Sequence, residues 1–304
     1  MEITLLGTGG MMPLKDRFLT SLYVEHEGHA MLIDCGEGTQ VAIAACGLKL
    51  SRIEAMFLTH RHVDHVGGLP GLLLSLANTG RTDPLPIHCG PSVVSTVRAL
   101  VGVTGGLPFP IDLKILPEDA PAETVLTAID PMFTVRSVPM QHRVPCLGYR
   151  ITLARKPVFA PEKAKALDVP VPFWSRLHAG ETVTLPDGRS IVPADVTGAA
   201  RPPIVIAYTT DTLPLPHIVD LARDADLFIG EGMYGDLAKR ESMDDKHHML
   251  MQDSCRIAME AGAKRLWLTH YSPAEKGPMA WKEALEAICP FVHISQDGDH
   301  IQIK

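Results

Sequence analysis

Short apolar blocks alternate with polar turns along this chain, and their spacing sets out an order of strands and helices. Ile3–Gly7, Leu19–His26 and Ala30–Asp34 are apolar runs of strand length, the first followed by the tight Thr8-Gly9-Gly10 connection. Val41–Cys46 reads as helix, Met56–Thr59 as strand, Leu69–Asn78 as a leucine-rich helix, Leu85–Cys89 as strand and Val93–Val101 as helix. Strands resume at Thr134–Val138 and Cys146–Leu153. After an irregular stretch come strand Pro203–Tyr208, helix Leu215–Ala222, strand Asp226–Gly230, a long helix Lys246–Gly262 and strand Arg265–Thr269. A helix over Met279–Ile288 and strands at Phe291–Ser295 and His300–Ile303 close the pattern. The alternation predicts an α/β fold.

From Arg155 to Ala200 the regular pattern is broken by Pro157, Pro161, Pro170, Pro172, Pro186 and Pro193, which reads as an inserted arm and not as a domain. Residues 1–304 are therefore expected to form one domain with an arm over 155–200. Between Arg155 and Arg189 the arm holds six basic and four acidic side chains, a net of +2, which leaves −9 for the rest of a chain of formal charge −7. That sign excludes binding of nucleic acid over the whole surface, so a polyanion has to be met by a local patch or by metal ions. Hydrophobic residues at 46% and charged residues at 21% are those of an ordinary globular protein. No apolar run approaches the roughly 20 residues that span a bilayer. Met1–Gly7 lacks a basic leader and reads as a first strand, so the expectation is a cytoplasmic protein with no membrane partner. Six scattered cysteines form no Cys-x-x-Cys pair and read as buried thiols.

Chemistry concentrates in His60-Arg61-His62-Val63-Asp64-His65, three imidazoles and a carboxylate within six residues, between an apolar run and a glycine-opened helix. Alternate residues of an extended segment point the same way, so His60 and His62 suit one ion, while Asp64 and His65, around the bend, turn toward a second. His142 lies just past a strand end, where it is either surface polarity or a third donor for the first ion. Asp211 ends a strand with a carboxylate able to bridge two cations, and His270 ends another. Two three-donor sets and a bridge leave room for a water or hydroxide, which separates a catalytic from a structural site. Two metals a few ångström apart serve hydrolysis, here of a phosphodiester. The Asp34-Cys35-Gly36-Glu37-Gly38-Thr39-Gln40 loop is either a simple strand-to-helix turn or the source of a carboxylate behind a metal-binding imidazole.

With these residues in place the chain resembles the metallo-β-lactamase fold and, within it, ribonuclease Z, the endonuclease that trims tRNA 3′ trailers. The likeness runs nearly end to end through Leu6-Gly7-Thr8, Asp34–Gln40, the histidine loop with Gly68-Leu69-Pro70-Gly71-Leu72-Leu73, and Asp211-Thr212. It implies an αββα sandwich with a flexible inserted arm, and zinc as the metal, with manganese or iron also suited to these donors. It also implies that His60, His62 and His142 hold one zinc, that Asp64, His65 and His270 hold the other, and that Asp211 bridges them. Asp64 would further accept a proton from the attacking water. Glu231 and His248 match the pair in which a carboxylate orients an imidazole toward the leaving oxygen. The arm would clamp precursor tRNA on the partner subunit of a homodimer, with Lys163, Lys165 and Arg176 offered to the substrate.

Four features depart from that pattern. The arm's glycine-proline signature is replaced by Asp168-Val169-Pro170-Val171-Pro172-Phe173-Trp174, and Glu231 sits in Gly230-Glu231-Gly232-Met233. Thr209-Thr210 precede Asp211, and Ala274 and Glu275 stand where the family has arginine and tyrosine. They leave a second reading open, a related metallo-hydrolase acting on a small or non-tRNA phosphodiester.

Overall fold

The structure is a computed structural model and describes residues 1–275 and 277–304. Residues 1–152 and 204–304 form one compact unit and residues 153–203 a second. The larger unit is built on two seven-stranded sheets. The strands are β1 (Glu2–Gly7), β2 (Ser21–His26), β3 (His29–Ile33), β4 (Ile53–Phe57), β5 (Leu85–Cys89), β6 (Ile111–Ile115), β7 (Ala122–Val125), β8 (Phe133–Met140), β9 (Cys146–Arg155), β10 (Val183–Thr184), β11 (Ser190–Ile191), β12 (Arg201–Tyr208), β13 (Leu227–Glu231), β14 (Leu266–Thr269), β15 (Val292–Ile294) and β16 (His300–Gln302). One sheet runs β16-β1-β2-β3-β4-β5-β6 and the other β15-β14-β13-β12-β9-β8-β7. Pairing from β3 through β6 and from β12 through β15 is parallel.

Parallel neighbours need crossovers, and helices supply them. In the first sheet these are α1 (Thr39–Ala45), α2 (Val63–Val66), α3 (Leu69–Ala77) and α4 (Val94–Gly102). Two more, α5 (Pro161–Ala166) and α6 (Trp174–Ala179), belong to the smaller unit, and α7 (Pro216–Ala222), α8 (Arg240–Lys246), α9 (Met251–Glu260) and α10 (Lys282–Glu286) follow in the second half. Strand alternation sorts the side chains. Leu6, Tyr23, Leu32, Met56 and Leu58 pack under α1, α3 and α4 with Ile43, Leu72, Leu73 and Val97. Val205, Ala207, Phe228, Leu266 and Leu268 pack under α7, α9 and α10 with Ile218, Cys255 and Leu285. The alternate positions, among them Leu5, Leu22, Ile33, Phe57, Ile206 and Ile229, are fully buried between the sheets. There Tyr149 meets Phe57 edge to face and donates to the Leu58 carbonyl at 2.6 Å. Burial on both faces is why these strands read as continuous apolar runs.

The smaller unit differs from the irregular arm expected of it. Ala164, Val169, Leu177, Val183, Leu185, Ile191 and Val196 bury one another, and β10 and β11 form a hairpin. Two of the prolines that break the apolar pattern are helix starts, Pro161 opening α5 and Pro193 a 3₁₀ turn, where a missing N–H costs nothing. The long helix expected over Lys246–Gly262 is a second correction. It is two helices, because His247 takes a left-handed conformation that ends α8, and the chain restarts at Met251 after the Asp253 carboxylate caps the Leu250 N–H at 2.9 Å. The helix expected over Met279–Ile288 is a 3₁₀ turn at Pro278–Trp281 followed by α10. The region between Val101 and Thr134, given no element by its pattern, contributes the short strands β6 and β7, which end the two sheets.

Candidate metal centre

Six strands deliver the polar residues of the site from their carboxyl ends, where α/β sheets place ligands. Asp34 follows β3, the histidine loop follows β4, His142 follows β8, Asp211 follows β12, Glu231 ends β13 and His270 follows β14. The backbone is bent to do so: Asp34 and His270 have φ of 59° and 61°, left-handed values that cost a non-glycine residue of order 1 kcal/mol. Two glycines make room. A Cβ on Gly10 would lie 2.7 Å from the His270 ring, and one on Gly68 would lie 2.1 Å from the Gly36 carbonyl oxygen.

The donors fall into two sets that share one carboxylate. His60 Nε2 is 3.0 Å from His62 Nδ1, which is 3.2 Å from His142 Nε2. Asp211 Oδ2 lies 3.6 Å from His60 Nε2 and 3.5 Å from His142 Nε2. In the other set His65 Nε2 and His270 Nε2 are 3.2 Å apart, and Asp64 Oδ2 is 3.6 and 3.4 Å from them. Asp211 turns its other oxygen, Oδ1, to this set at 3.3 and 2.9 Å. A tetrahedral zinc with ligands at about 2.0–2.1 Å has donor-to-donor edges of about 3.3–3.4 Å, the spacing seen in both sets. Asp211 Oδ1 is buried and faces only the His65 and His270 rings, so with those rings neutral its lone pairs would be open to a cation. The residues fit a pair of divalent cations, one for each oxygen of Asp211.

Behind the donors stands a layer that fixes their orientation. Asp34 is 2.8 Å from His65 Nδ1 and accepts from the Thr59 N–H at 2.8 Å. His142 Nδ1 is 3.0 Å from the His247 carbonyl, and His270 Nδ1 is 3.2 Å from Glu231. Each imidazole so held keeps its other nitrogen for the ion. Asp64 Oδ2 accepts from the Met11 N–H at 2.6 Å. Glu231, fully buried, holds His248 Nδ1 at 2.5 Å and accepts from the Met249 N–H at 2.7 Å.

Electrostatics divides the two sets. Burial pushes His60, His62 and His142 below the ordinary imidazole range, which leaves neutral rings with lone pairs to give. Burial also opposes a proton on His65, but Asp211, Asp34 and Asp64 outweigh it and raise the ring to about 10. His270 rises likewise against burial, chiefly through Asp211. Burial would raise Asp64 and Asp211, yet the facing imidazoles hold both carboxyls below their usual range. A divalent cation held here would take the place of the Nε2 protons of His65 and His270, whose Nδ1 atoms face Asp34 and Glu231, so its binding would release protons. Burial opposes a proton on His248 too, and Glu231 overcomes it, so that ring is shifted upward.

All seven residues expected to bind metal thus meet at one place, and Glu231 and His248 meet beside them. Lys163, Lys165 and Arg176 are exposed in the smaller unit, where Lys163 Nζ donates to the Thr197 carbonyl at 2.6 Å and Arg176 pairs with Glu181 at 2.8 Å. Of the carboxylates in the Asp34–Gln40 loop, Asp34 reaches an imidazole and Glu37 is exposed. Sequence reasoning missed Thr59, whose only signal is a polar residue ending an apolar strand. It also missed Met11 and His247, whose parts are played by backbone atoms that carry no signal.

Two facing sheets with helical outer layers and a shared-carboxylate donor pair at the strand ends define the metallo-β-lactamase fold. The short form of human tRNase Z superposes with a TM-score of 0.69 at 24% identity, covering 100% of both chains. A metallo-β-lactamase fold protein from Bacillus subtilis gives 0.69 at 18% identity, covering 99% of this chain and 98% of that one. A ribonuclease Z of Lachnoclostridium phytofermentans is 38% identical over 100% of this chain and 98% of its own length. Another, of Clostridium acetobutylicum, is 40% identical over 98% and 96%. The chain belongs to the ribonuclease Z family. The family profile described as anti-Pycsar protein Apyc1 also matches, over residues 1–96.

Proposed function

We propose that this chain is a metal-dependent endoribonuclease that removes 3′ trailers from precursor tRNA, working in the cytoplasm as a homodimer. Family membership supports the substrate, and the convergence of seven donors with zinc-like spacing carries the chemistry. We assign His60, His62 and His142 to one cation, Asp64, His65 and His270 to the other, and Asp211 to both. Zinc is the expected metal, with manganese or iron as alternatives for the same donors. When bound, such a pair supplies Lewis-acid charge to the phosphodiester oxygens and acidifies a water.

The chain's own groups do the rest. Asp64, held in place by the Met11 N–H, is positioned to accept a proton from the attacking water. His248 carries the proton for the leaving oxygen: Glu231 fixes its Nδ1 side, so Nε2 is the nitrogen that donates. In the smaller unit, Lys163, Lys165 and Arg176 are assigned to the body of the tRNA.

One observation favours a second reading, hydrolysis of a small or non-tRNA phosphodiester: Lys163 and Arg176 are already engaged by Thr197 and Glu181. Cleavage of a labelled precursor tRNA by the zinc-loaded protein, beside an Asp64→Ala control, separates the two. The expected result is one cut next to the discriminator base, absent in the control and weakening steeply with salt. Hydrolysis of a small phosphodiester with no cut in the tRNA would replace the first reading with the second.

A further inference from the structure

A cavity of about 530 Å³ lies between the outer strands of the two sheets, bounded by β4, β5 and β6 on one side and by β7 and the turn after it on the other. It shares no residue with the two donor sets. Its walls are mostly apolar, among them Ala55, Leu116, Leu126 and Ile129, and two further wall residues, Ile115 and Val125, are 55% and 50% exposed. Such a size and lining suit a small molecule. One wall also carries a polar group that the fold leaves unused. His88, in β5, is 6% exposed, and its ring stacks flat on Phe57, its register partner in β4, with centroids 4.3 Å apart and planes at 4°. Its Nδ1 is buried without a hydrogen-bond partner, and neither ring nitrogen has one among the described residues. A phenylalanine would stack on Phe57 as well, so packing accounts for the ring and not for its nitrogens. Burial, helped by Lys114 opposite it in β6, pushes the imidazole down to about 4, so the ring is neutral and offers one donor and one acceptor. Buried polar groups are hydrogen-bonded as a rule, and this one lines a cavity. The charges around the cavity set the sign of what can enter. Lys114 is paired with Asp112 at 2.7 Å, and Glu54 lies 3.2 Å from His29. Glu123 makes no ion pair among the described residues. Carboxylates are thus in excess, which repels an anion and attracts an ammonium group.

We propose that this cavity is a binding site for a hydroxylated aromatic amine, with the ring between the apolar walls, the hydroxyl on His88 and the ammonium group toward Glu123. A hydroxyl both donates and accepts, so it answers His88 in either tautomer. The apolar walls take the ring out of water, and the unpaired carboxylate selects the cation. The site is separate from the metal centre and stands whichever phosphodiester that centre cleaves.

The test titrates three probes into the zinc-loaded full chain and follows them by ligand-observed NMR: tyramine, phenethylamine, which lacks the hydroxyl, and 4-hydroxyphenylacetate, which carries a carboxylate in place of the ammonium group. Tyramine should bind with a Kd of about 1 mM or below, phenethylamine about fivefold more weakly, and 4-hydroxyphenylacetate about tenfold more weakly or worse. His88→Phe keeps the stack on Phe57 and should bring tyramine and phenethylamine to one affinity. Glu123→Gln, at an exposed position, should narrow the gap between tyramine and 4-hydroxyphenylacetate to about threefold or less. No binding of tyramine by the wild type overturns the site. So does binding whose preferences both variants leave unchanged, because the probe would then sit elsewhere, the metal centre included. Should His88→Phe fail to fold, Glu123→Gln decides alone, and an unchanged discrimination between the two charges overturns the site.

Discussion

At the metal centre the imidazoles and carboxylates are buried or half-buried, and several are held from behind, as Asp34 holds His65 and Glu231 holds His248. In the unit from Leu153 to Pro203 the cations stand in solvent and are met by near neighbours: Arg176 by Glu181, Arg189 by Asp187, Lys163 by the Thr197 carbonyl. The first arrangement removes charge from water and has to replace the lost hydration with fixed partners, so a change at one residue reaches the others. The second leaves hydration in place, and each pair is separately weak and screened by salt. The contrast teaches where this molecule is brittle and where it tolerates change.

The harshest test is Asp211→Ala, which removes an oxygen from both donor sets at once. Metal content measured by mass spectrometry should fall below two per chain, and turnover of a small phosphodiester should drop by about 10³-fold or more, roughly 4 kcal/mol. Two metals retained with near-normal turnover would mean that the shared carboxylate is not the hinge of the site.

Asp34→Asn comes next, since it touches no ion. It should weaken metal affinity by about 10- to 100-fold through the freed His65 ring, read by chelator competition. An unchanged affinity would show that the backbone alone orients His65.

The His65 shift makes a pH prediction. Its ring is raised in the folded chain, so it contributes stability that is complete below the unfolded imidazole value near 6.5 and is lost as pH climbs through about 10. Chelator-stripped protein should therefore lose melting temperature between pH 7 and 10, while metal-loaded protein, whose His65 stays neutral with its one N–H turned to Asp34, should not. Parallel curves for the two forms would remove the protons from this account.

The smallest effect belongs to the other region. Arg176→Ala should leave the melting temperature within about 2 °C, because an exposed pair contributes little. Deleting residues 155–200 should sharply reduce cleavage of precursor tRNA and spare a small phosphodiester. A matching loss on both substrates would mean that the segment supports the larger unit and does not hold RNA.

Much of this was legible along the chain. The His60–His65 spacing names metal chemistry by itself, because alternation in an extended segment and a bend into α2 are local facts. Apolar runs of strand and helix length likewise located most elements, with ends shifted by one to three residues, by one at β13 and by three at the start of β4. Where the reading went wrong, a single backbone conformation or a small local core decided the outcome. His247 breaks one long helical pattern into α8 and α9, and that break turns its carbonyl to His142 and lets the next residue reach Glu231. The proline-rich segment folds because seven apolar side chains bury one another, a balance no periodicity records.

The sequence determined which donors exist and that two of them sit on each side of one bend. Only the tertiary structure decided that His142, Asp211 and His270 meet that bend, that Asp211 gives one oxygen to each set, and that Met11 stands over Asp64 in a left-handed turn. Periodicity encodes the direction of a side chain relative to its own strand. Convergence of strand ends from two sheets depends on how those sheets pair and pack, a sum over many distant contacts that no short stretch of residues contains.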